Sequence, residues 1–338
     1  MNALLARIAS FSLAMTFAQN ALSAELNLPR NGWATWDVPA VSDTPAWCCF
    51  SFDGDADRSS NGNPVCRLEG TQNGYSSRDG ETTATVRLYA RFADGKLSRL
   101  RALAPSCPVE AHVTPQVLTD VSVDDSARWL ASLLDSKHDA IGVGRRQRTD
   151  VMASLAAHRT SLAYDALVSV ARNDELIATR KDAVFWLAHL RGIEGARFVT
   201  SVMFEDADAR MREHATFAVS QSKSATKAGD LIVLATTDRK ARVRTQAWFW
   251  LAQIGASETE AAIGSALKTE TDDSVRNQAV FALSQLPDER AVRALIGVAE
   301  DSSLAREDRK QAIFWLAQEE SDAALTYLDR VIAAKATF

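Results

Sequence analysis

Glycine and proline are scarce in this chain of 338 residues, with 15 Gly and 8 Pro, against usual shares of about 7% and 5%. That shortage excludes collagen-like and low-complexity chains and points to long helices rather than a loop-rich all-β fold. An excess of positive charge is missing as well. Lys and Arg number 38 against 43 Asp and Glu, a formal charge of −5, so no general attraction to phosphates is available and no nucleic-acid partner is expected. No stretch approaches the roughly 18 to 20 uninterrupted apolar residues of a spanning helix, so the mature chain is expected to lack a membrane span. A Gly-rich phosphate loop with Lys, a nucleophile-elbow serine and a paired-His zinc helix are also missing. The expectation is therefore a protein that is not an enzyme, with no catalytic residue, no metal and no cofactor.

What is present begins with an address. Met1 to Arg7 carries one cation, Ile8 to Ala18 is a short apolar run, and Ala21-Leu22-Ser23-Ala24 offers small residues for cleavage. Residues 1–23 thus read as a signal peptide, and the mature protein as periplasmic or secreted. Removing Arg7 takes the formal charge to −6. No cysteine stands at the cleavage site, so no lipid anchor is indicated.

All four cysteines, Cys48, Cys49, Cys66 and Cys107, lie ahead of residue 110. Clustered so, in an exported chain, they read as disulfides stapling a small unit. Adjacent residues sit about 3.8 Å apart at Cα, too close for an unstrained bridge, so Cys48 does not pair with Cys49. Two connectivities remain, each sending one of the adjacent pair to Cys66 and the other to Cys107. Zinc is disfavoured, because adjacent cysteines lack the knuckle spacing.

The cysteine unit, residues 24–120, is expected to be β-rich. Thr82 to Phe92 alternates polar and apolar positions, Ala93-Asp94-Gly95-Lys96 makes a turn and Leu97 to Leu103 returns, which predicts a hairpin. Trp33, Trp36 and Trp47 supply apolar surface for its core. Asp53-Gly54-Asp55-Ala56-Asp57 has the look of a calcium loop, but Arg58 stands where the turning Gly belongs and Pro64 where the bidentate Glu belongs. It reads as a solvated loop.

From residue 121 to 338 the chain repeats. Arg148, Arg180, Arg212, Arg244, Arg276 and Arg309 fall at intervals of 32, 32, 32, 32 and 33 residues, a period of stacked helical hairpins. After five of them comes a similar string: Asp182 to His189, His214 to Gln221, Gln246 to Gln253, Gln278 to Gln285 and Gln311 to Gln318. Asp174, Asp206 and Asp238 precede their Arg by six residues, and Val243 and Val275 precede theirs by one.

On these residues the chain resembles the HEAT-repeat family, in particular the short bacterial HEAT-like type first associated with phycobilin lyases, over about residues 123 to 334. The resemblance implies a mainly α fold, an α-solenoid of about six hairpins whose second helices line the concave side. It also implies a binding scaffold, since members of that family mostly serve as one.

Each unit reads as a first helix, such as Ser161 to Ala171, an Asp-bearing turn, and a second helix starting around the Arg. The Asp is expected to cap the second helix and meet an Arg of its own or the adjoining unit, making the Arg column a structural ladder. At about 100° per residue, offsets 3, 7 and 10 from the Arg form the core side, while 2, 5 and 9 lie opposite. That opposite face carries Phe185, Phe217, Phe249, Phe281 and Phe314 at offset 5. Offset 9 adds His189, Gln221, Gln253, Gln285 and Gln318. Offset 2 adds Asp182, His214, Gln246, Gln278 and Gln311.

Offset 6 alternates large and small, as Trp186, Ala218, Trp250, Ala282 and Trp315, a two-unit superperiod. Each Trp is expected to pack between helices, covering the Ala of the next repeat. Five outward Phe side chains either pack on one another or bind something. A ladder at about 10 Å per step would seat an extended peptide of about a dozen residues, with Gln amides pairing to its backbone. Asp182, His189 and His214 resemble the site of HEAT-like metal hydroxylases, which use repeated His-Glu pairs. Here only Glu213-His214 occurs, and helix spacing keeps His189 and His214 from sharing one ion.

The expected function is an exported, non-enzymatic scaffold holding a protein or an extended peptide segment in a concave Phe/Gln-lined groove. The alternative is an envelope enzyme or lyase-like factor whose chemistry sits in the cysteine unit. A purely structural spacer, the third possibility, requires Phe rings that are nearly inaccessible.

Overall fold

A computed structural model describes residues 26–50, 65–70, 74–77, 80–135 and 145–336. The signal segment and the Asp53 to Pro64 loop lie outside the described residues.

Alternating apolar positions form the first unit. Strand β1 (Gly32–Pro39) pairs antiparallel with β5 (Thr85–Ala93), and β5 with β6 (Lys96–Leu103). The hairpin falls where the sequence puts it. Asp94 and Gly95 both take positive φ, 52° and 77°, as a two-residue hairpin turn of matching twist demands. Short β2 (Cys48–Phe50), β3 (Cys66–Arg67), β4 (Gly74–Ser76) and β7 (Val109–Glu110) form two small pairs, while β8 (Gln116–Val117) adds to β1 in parallel.

The sheet has two different faces, because side chains alternate along each strand. One face buries Trp33, Tyr89 and Leu103 with Cys49 and Cys66. Beside it Cys48 bonds to Cys107 and Cys49 to Cys66, one of the two pairings the spacing allowed. The other face, with Trp36, Val86, Leu88 and Ala90, merges with the helical core in one continuous cluster.

Thirteen helices follow among the described residues, as six hairpins and a terminal helix. The hairpins are α1 (Val123–Ser132) with α2 (Arg145–Ala157), α3 (Ser161–Asn173) with α4 (Ile177–Leu190), and α5 (Gly192–Glu205) with α6 (Ala209–Gln221). Next come α7 (Lys227–Thr237) with α8 (Ala241–Gln253), α9 (Thr259–Ala266) with α10 (Asp273–Ser284), and α11 (Asp288–Glu300) with α12 (Arg306–Leu316). Helix α13 (Asp322–Ala336) ends the stack. No described helix is long and apolar enough to cross a membrane.

The second helices α2, α4, α6, α8, α10 and α12 pack closely, each on the next, whereas from α3 onward the first helices barely touch one another. The stack therefore curves toward its second helices. Between α4 and α5 the chain turns so tightly that a Cβ on Gly195 would lie 2.0 Å from the Leu187 carbonyl oxygen. Gly195→Ala is expected to cost about 1–3 kcal/mol by overpacking, read as a lower urea midpoint at unchanged slope. An unmoved midpoint would show that the turn has room to spare.

The sheet joins the stack at its first hairpin. Val41 N–H donates to the Ala157 carbonyl and Arg159 N–H to the Pro39 carbonyl, and Ala40 bridges to His158. His158 occupies a column that holds Leu190, Ile254 and Leu286 in three other repeats and Ser222 and Glu319 in the remaining two. It survives burial because both ring nitrogens are used. Nδ1 donates to the Ser154 carbonyl (2.7 Å), and Nε2 accepts from Ser126 Oγ (2.8 Å), which itself accepts from Trp36 Nε1 (2.9 Å). Burial holds this imidazole neutral, with a pKa lowered to about 4.

Candidate binding groove

The arginine column is the frame on which the groove is built. Arg148 bonds Asp174 (2.6 Å), Arg180 bonds Asp206, Arg212 bonds Asp238 (2.7 and 3.1 Å) and Arg244 bonds Glu270 (2.8 and 2.9 Å). In each case the acid stands 26 residues later, in the turn of the following unit. Its second oxygen accepts a backbone N–H two residues on, from Leu176, Asp208, Lys240 and Asp272 respectively. The acid thus braces its own turn and ties it to the preceding unit. This corrects the capping expectation: Asp174, Asp206 and Asp238 close the first helices, and the N-cap positions of the second helices are Leu176, Asp208 and Lys240.

The 33-residue interval rewires the last rung. Asp301 still braces its turn, bonding Ser303 N–H at 2.9 Å, but Arg276 reaches instead to Asp308 of α12 at 3.2 Å.

With the arginines engaged on one side, each second helix turns its Phe and Gln columns to the tight side of the stack. Phe185, Phe217, Phe249 and Phe281 are half-buried and Phe314 is 53% exposed. His189, Gln221, Gln253, Gln285 and Gln318 are exposed, while Asp182, His214, Gln246, Gln278 and Gln311 are half-buried.

The aromatic rings form a ribbon, and the tryptophans belong to it. Trp250 lies 4.8 Å from Phe217 of the preceding repeat and 4.9 Å from its own Phe249. Trp315 stands likewise between Phe281 (5.0 Å) and Phe314 (5.1 Å). Interhelix packing is their role, with the indoles of Trp250 and Trp315 set against the preceding repeat's Phe. Between α4 and α6, where no Trp intervenes, the rings close up. Phe185 and Phe217 stack at 6.0 Å and 6°, well under the step of about 10 Å expected from helix spacing.

The ribbon runs on into the sheet unit. Trp186 meets Trp47 at 5.9 Å, edge to face, so Trp47 fills the place a preceding repeat's Phe would take. The sequence reading had assigned Trp47 to the core of the cysteine unit alone. A signal was available: the Arg148 repeat carries Ala153 and Ser154 at offsets 5 and 6, both buried, small residues that leave room for a covering element. Just beyond, Lys223 Nζ donates to Asp43 Oδ2 at 2.5 Å. The groove is therefore closed at its N-terminal end by the sheet and open toward α12.

The histidines serve the floor. His189 stacks on Phe185 at 5.6 Å, and burial, then Lys223, lowers its pKa. His214 Nε2 donates to the Lys181 carbonyl at 3.0 Å, linking α6 to α4, and burial lowers its pKa too. Asp182 accepts from Thr149 at 3.2 Å.

The alternation extends to the rails. In the two repeats without Trp, Ser220 and Ser284 donate to the carbonyls of Phe217 and Phe281 (2.7 and 2.8 Å) and accept from Gln221 and Gln285 Nε2 (3.2 Å each). Those amides are held in one orientation, with a carbonyl oxygen and one N–H left over.

This architecture defines a class: an α-solenoid of stacked helical hairpins with a disulfide-bonded sheet at its N-terminal end. Residues 229–317 match the sequence model of the family described as HEAT repeats, the part of the chain from α7 to α12. No curated protein matches the chain. Among solved structures, human deoxyhypusine hydroxylase in complex with glycerol is similar at 17% identity, over 61% of this chain and 77% of that one, with a TM-score of 0.26. Escherichia coli YibA is similar at 19% identity over 62% and 76%, with a TM-score of 0.37. A designed armadillo repeat protein in complex with the peptide (KR)4 is similar at 16% identity over 59% and 97%, with a TM-score of 0.31.

Proposed function

We propose that this protein is an exported, non-enzymatic scaffold that holds a protein or peptide segment along its concave Phe/Gln face. One observation carries the reading. A ribbon of partly exposed aromatic rings, flanked by exposed Gln amides, runs along the tight side of the stack. Accessible apolar surface so arranged marks an interaction site more often than a packing remainder. The closed end supports it by giving the groove a defined start at Trp47. Export rests on the N-terminal address in the sequence and agrees with four cysteines that are all in disulfides.

The test is a double substitution at the middle of the floor. Phe249→Ser with Phe281→Ser is expected to leave the helical circular-dichroism signal in place and to abolish capture of the partner from native envelope extract. Capture at the wild-type level would reject the groove.

A further inference from the structure

The two ends of the stack differ. The sheet covers the first hairpin, whereas at α12 and α13 columns that are core elsewhere come to the surface. Met152, Val184, Thr216, Trp248 and Val280 are buried, yet Ile313, the last member of their column, is only half-buried, and Ala317, four residues on, is exposed. In the first helices Leu167, Val199, Leu231, Ile263 and Leu295 are fully buried, but Leu328, next in that column, is half-buried. Leu325 and Ile332, either side of it, are 57% and 66% exposed. Spaced at i, i+3 and i+7, the three α13 residues form one apolar stripe. Every earlier first helix packs on a second helix of its own unit, and among the described residues none follows α13. A solenoid end of this kind needs covering.

The charges on this end complement one another. Arg148, Arg180, Arg212 and Arg244 each reach an acid in the turn of the following unit, and Arg276 reaches α12. Among the described residues Arg309 makes no ion pair, and its Nε is buried without a hydrogen-bond partner. Asp322 and Asp329, exposed and likewise unpaired among those residues, flank the α13 stripe. Helices joined by a loop as short as residues 317–321 run antiparallel. Arg309 lies seven residues before the end of α12 at Leu316, and Asp329 seven after the start of α13 at Asp322. Both therefore stand about 10.5 Å from the joined ends, at one height. Ile313 and Leu325, each three residues from those ends, are level as well.

A two-fold axis parallel to the helices keeps every height. It would set the α13 stripes of two copies against each other and lay α12 of each copy along the acidic flank of the other's α13, with Arg309 opposite Asp329 of the partner subunit. Such a contact is self-complementary, as an isologous interface requires. Head-to-tail stacking lacks a matching seam, because the sheet occupies the other end. We propose that the protein pairs with a second copy of itself, tail to tail, through α12 and α13. The pairing does not depend on what the groove holds.

Sedimentation velocity of the mature protein is expected to give twice the monomer mass at about 50 μM, well above the micromolar dissociation constant of a modest helix interface. Leu325→Glu with Ile332→Glu should leave it monomeric at that concentration with an unchanged circular-dichroism signal, since both side chains are exposed. Asp329→Arg should weaken pairing about ten-fold, and adding Arg309→Asp should restore it to within about three-fold. A wild-type monomer at that concentration would overturn the proposal and leave the seam to a helix of another protein. A dimer that survives the Leu325/Ile332 double variant would put the contact on another face and overturn it as well. A charge swap that restores nothing, at unchanged circular dichroism, would overturn the parallel two-fold arrangement.

Discussion

Arg212→Ala is expected to cost about 3–5 kcal/mol of stability, because it strips one partner from an ion pair that water hardly reaches. The Arg212 and Asp238 side chains are 3% and 5% exposed, and Arg212 also donates to the Asp206 carbonyl at 2.8 Å. Burial alone would discourage ionisation of Asp238, yet its bonds to Arg212 hold the carboxyl below its ordinary range. Without the arginine that carboxylate stays buried with half its partners gone, at the joint between α6 and the next turn. Lys223→Ala, which breaks the exposed pair with Asp43, should cost at most about 1 kcal/mol. Replacing both members, as Arg212→Met with Asp238→Leu, should recover most of the loss, since no buried charge remains. Urea unfolding of the four proteins decides it. Near-equal midpoints for Arg212→Ala and Lys223→Ala would show the ladder to be ornamental.

Acid should loosen the joint between sheet and stack. His158 has a folded-state pKa of about 4, below the ordinary value of about 6.5 for the unfolded chain. Between those values the unfolded chain binds a proton that the folded one refuses, so stability is full above about pH 6.5 and falls as pH drops toward 4. The slope is about 1.4 kcal/mol per pH unit, or about 2 kcal/mol between pH 6.5 and 5. His158→Gln can keep one donor and one acceptor in place but cannot titrate. It is expected to be less stable than wild type at pH 7.5, with that gap narrowing by about 2 kcal/mol at pH 5. Other titrating groups are common to both proteins and cancel in the comparison. Parallel pH profiles would remove His158 as the cause.

Much of this fold is legible in the residues. The arginine interval sets the register of the whole stack, since a 32-residue period admits little besides paired helices, and Asp94-Gly95 sets the hairpin turn. The floor and rail columns follow from helical geometry once the register is known. Direction is what periodicity conceals. The spacing of Trp186, Trp250 and Trp315 is the same whether each ring leans on the repeat before it or the one after. The partner of Trp47 is likewise invisible, because a contact between a β unit and a repeat 139 residues away leaves no period. The partner of Arg276, Asp308 within the next second helix, is not given by the Asp-six-before-Arg pattern, which the last repeat lacks. His158 stands in a column that elsewhere holds Leu190, Ser222, Ile254, Leu286 and Glu319, and nothing local reveals that Ser126 waits opposite.

The alternation of wedged and unwedged floors makes two hairpins, not one, the smallest interchangeable piece of this stack. Excising a single repeat would bring two indoles into successive steps of a floor that has space for one, or leave two successive steps with none. Excising a pair would splice like to like. Lengthening or shortening such a molecule is therefore a matter of about 64 residues at a time, and any guest it measures is measured in the same double stride.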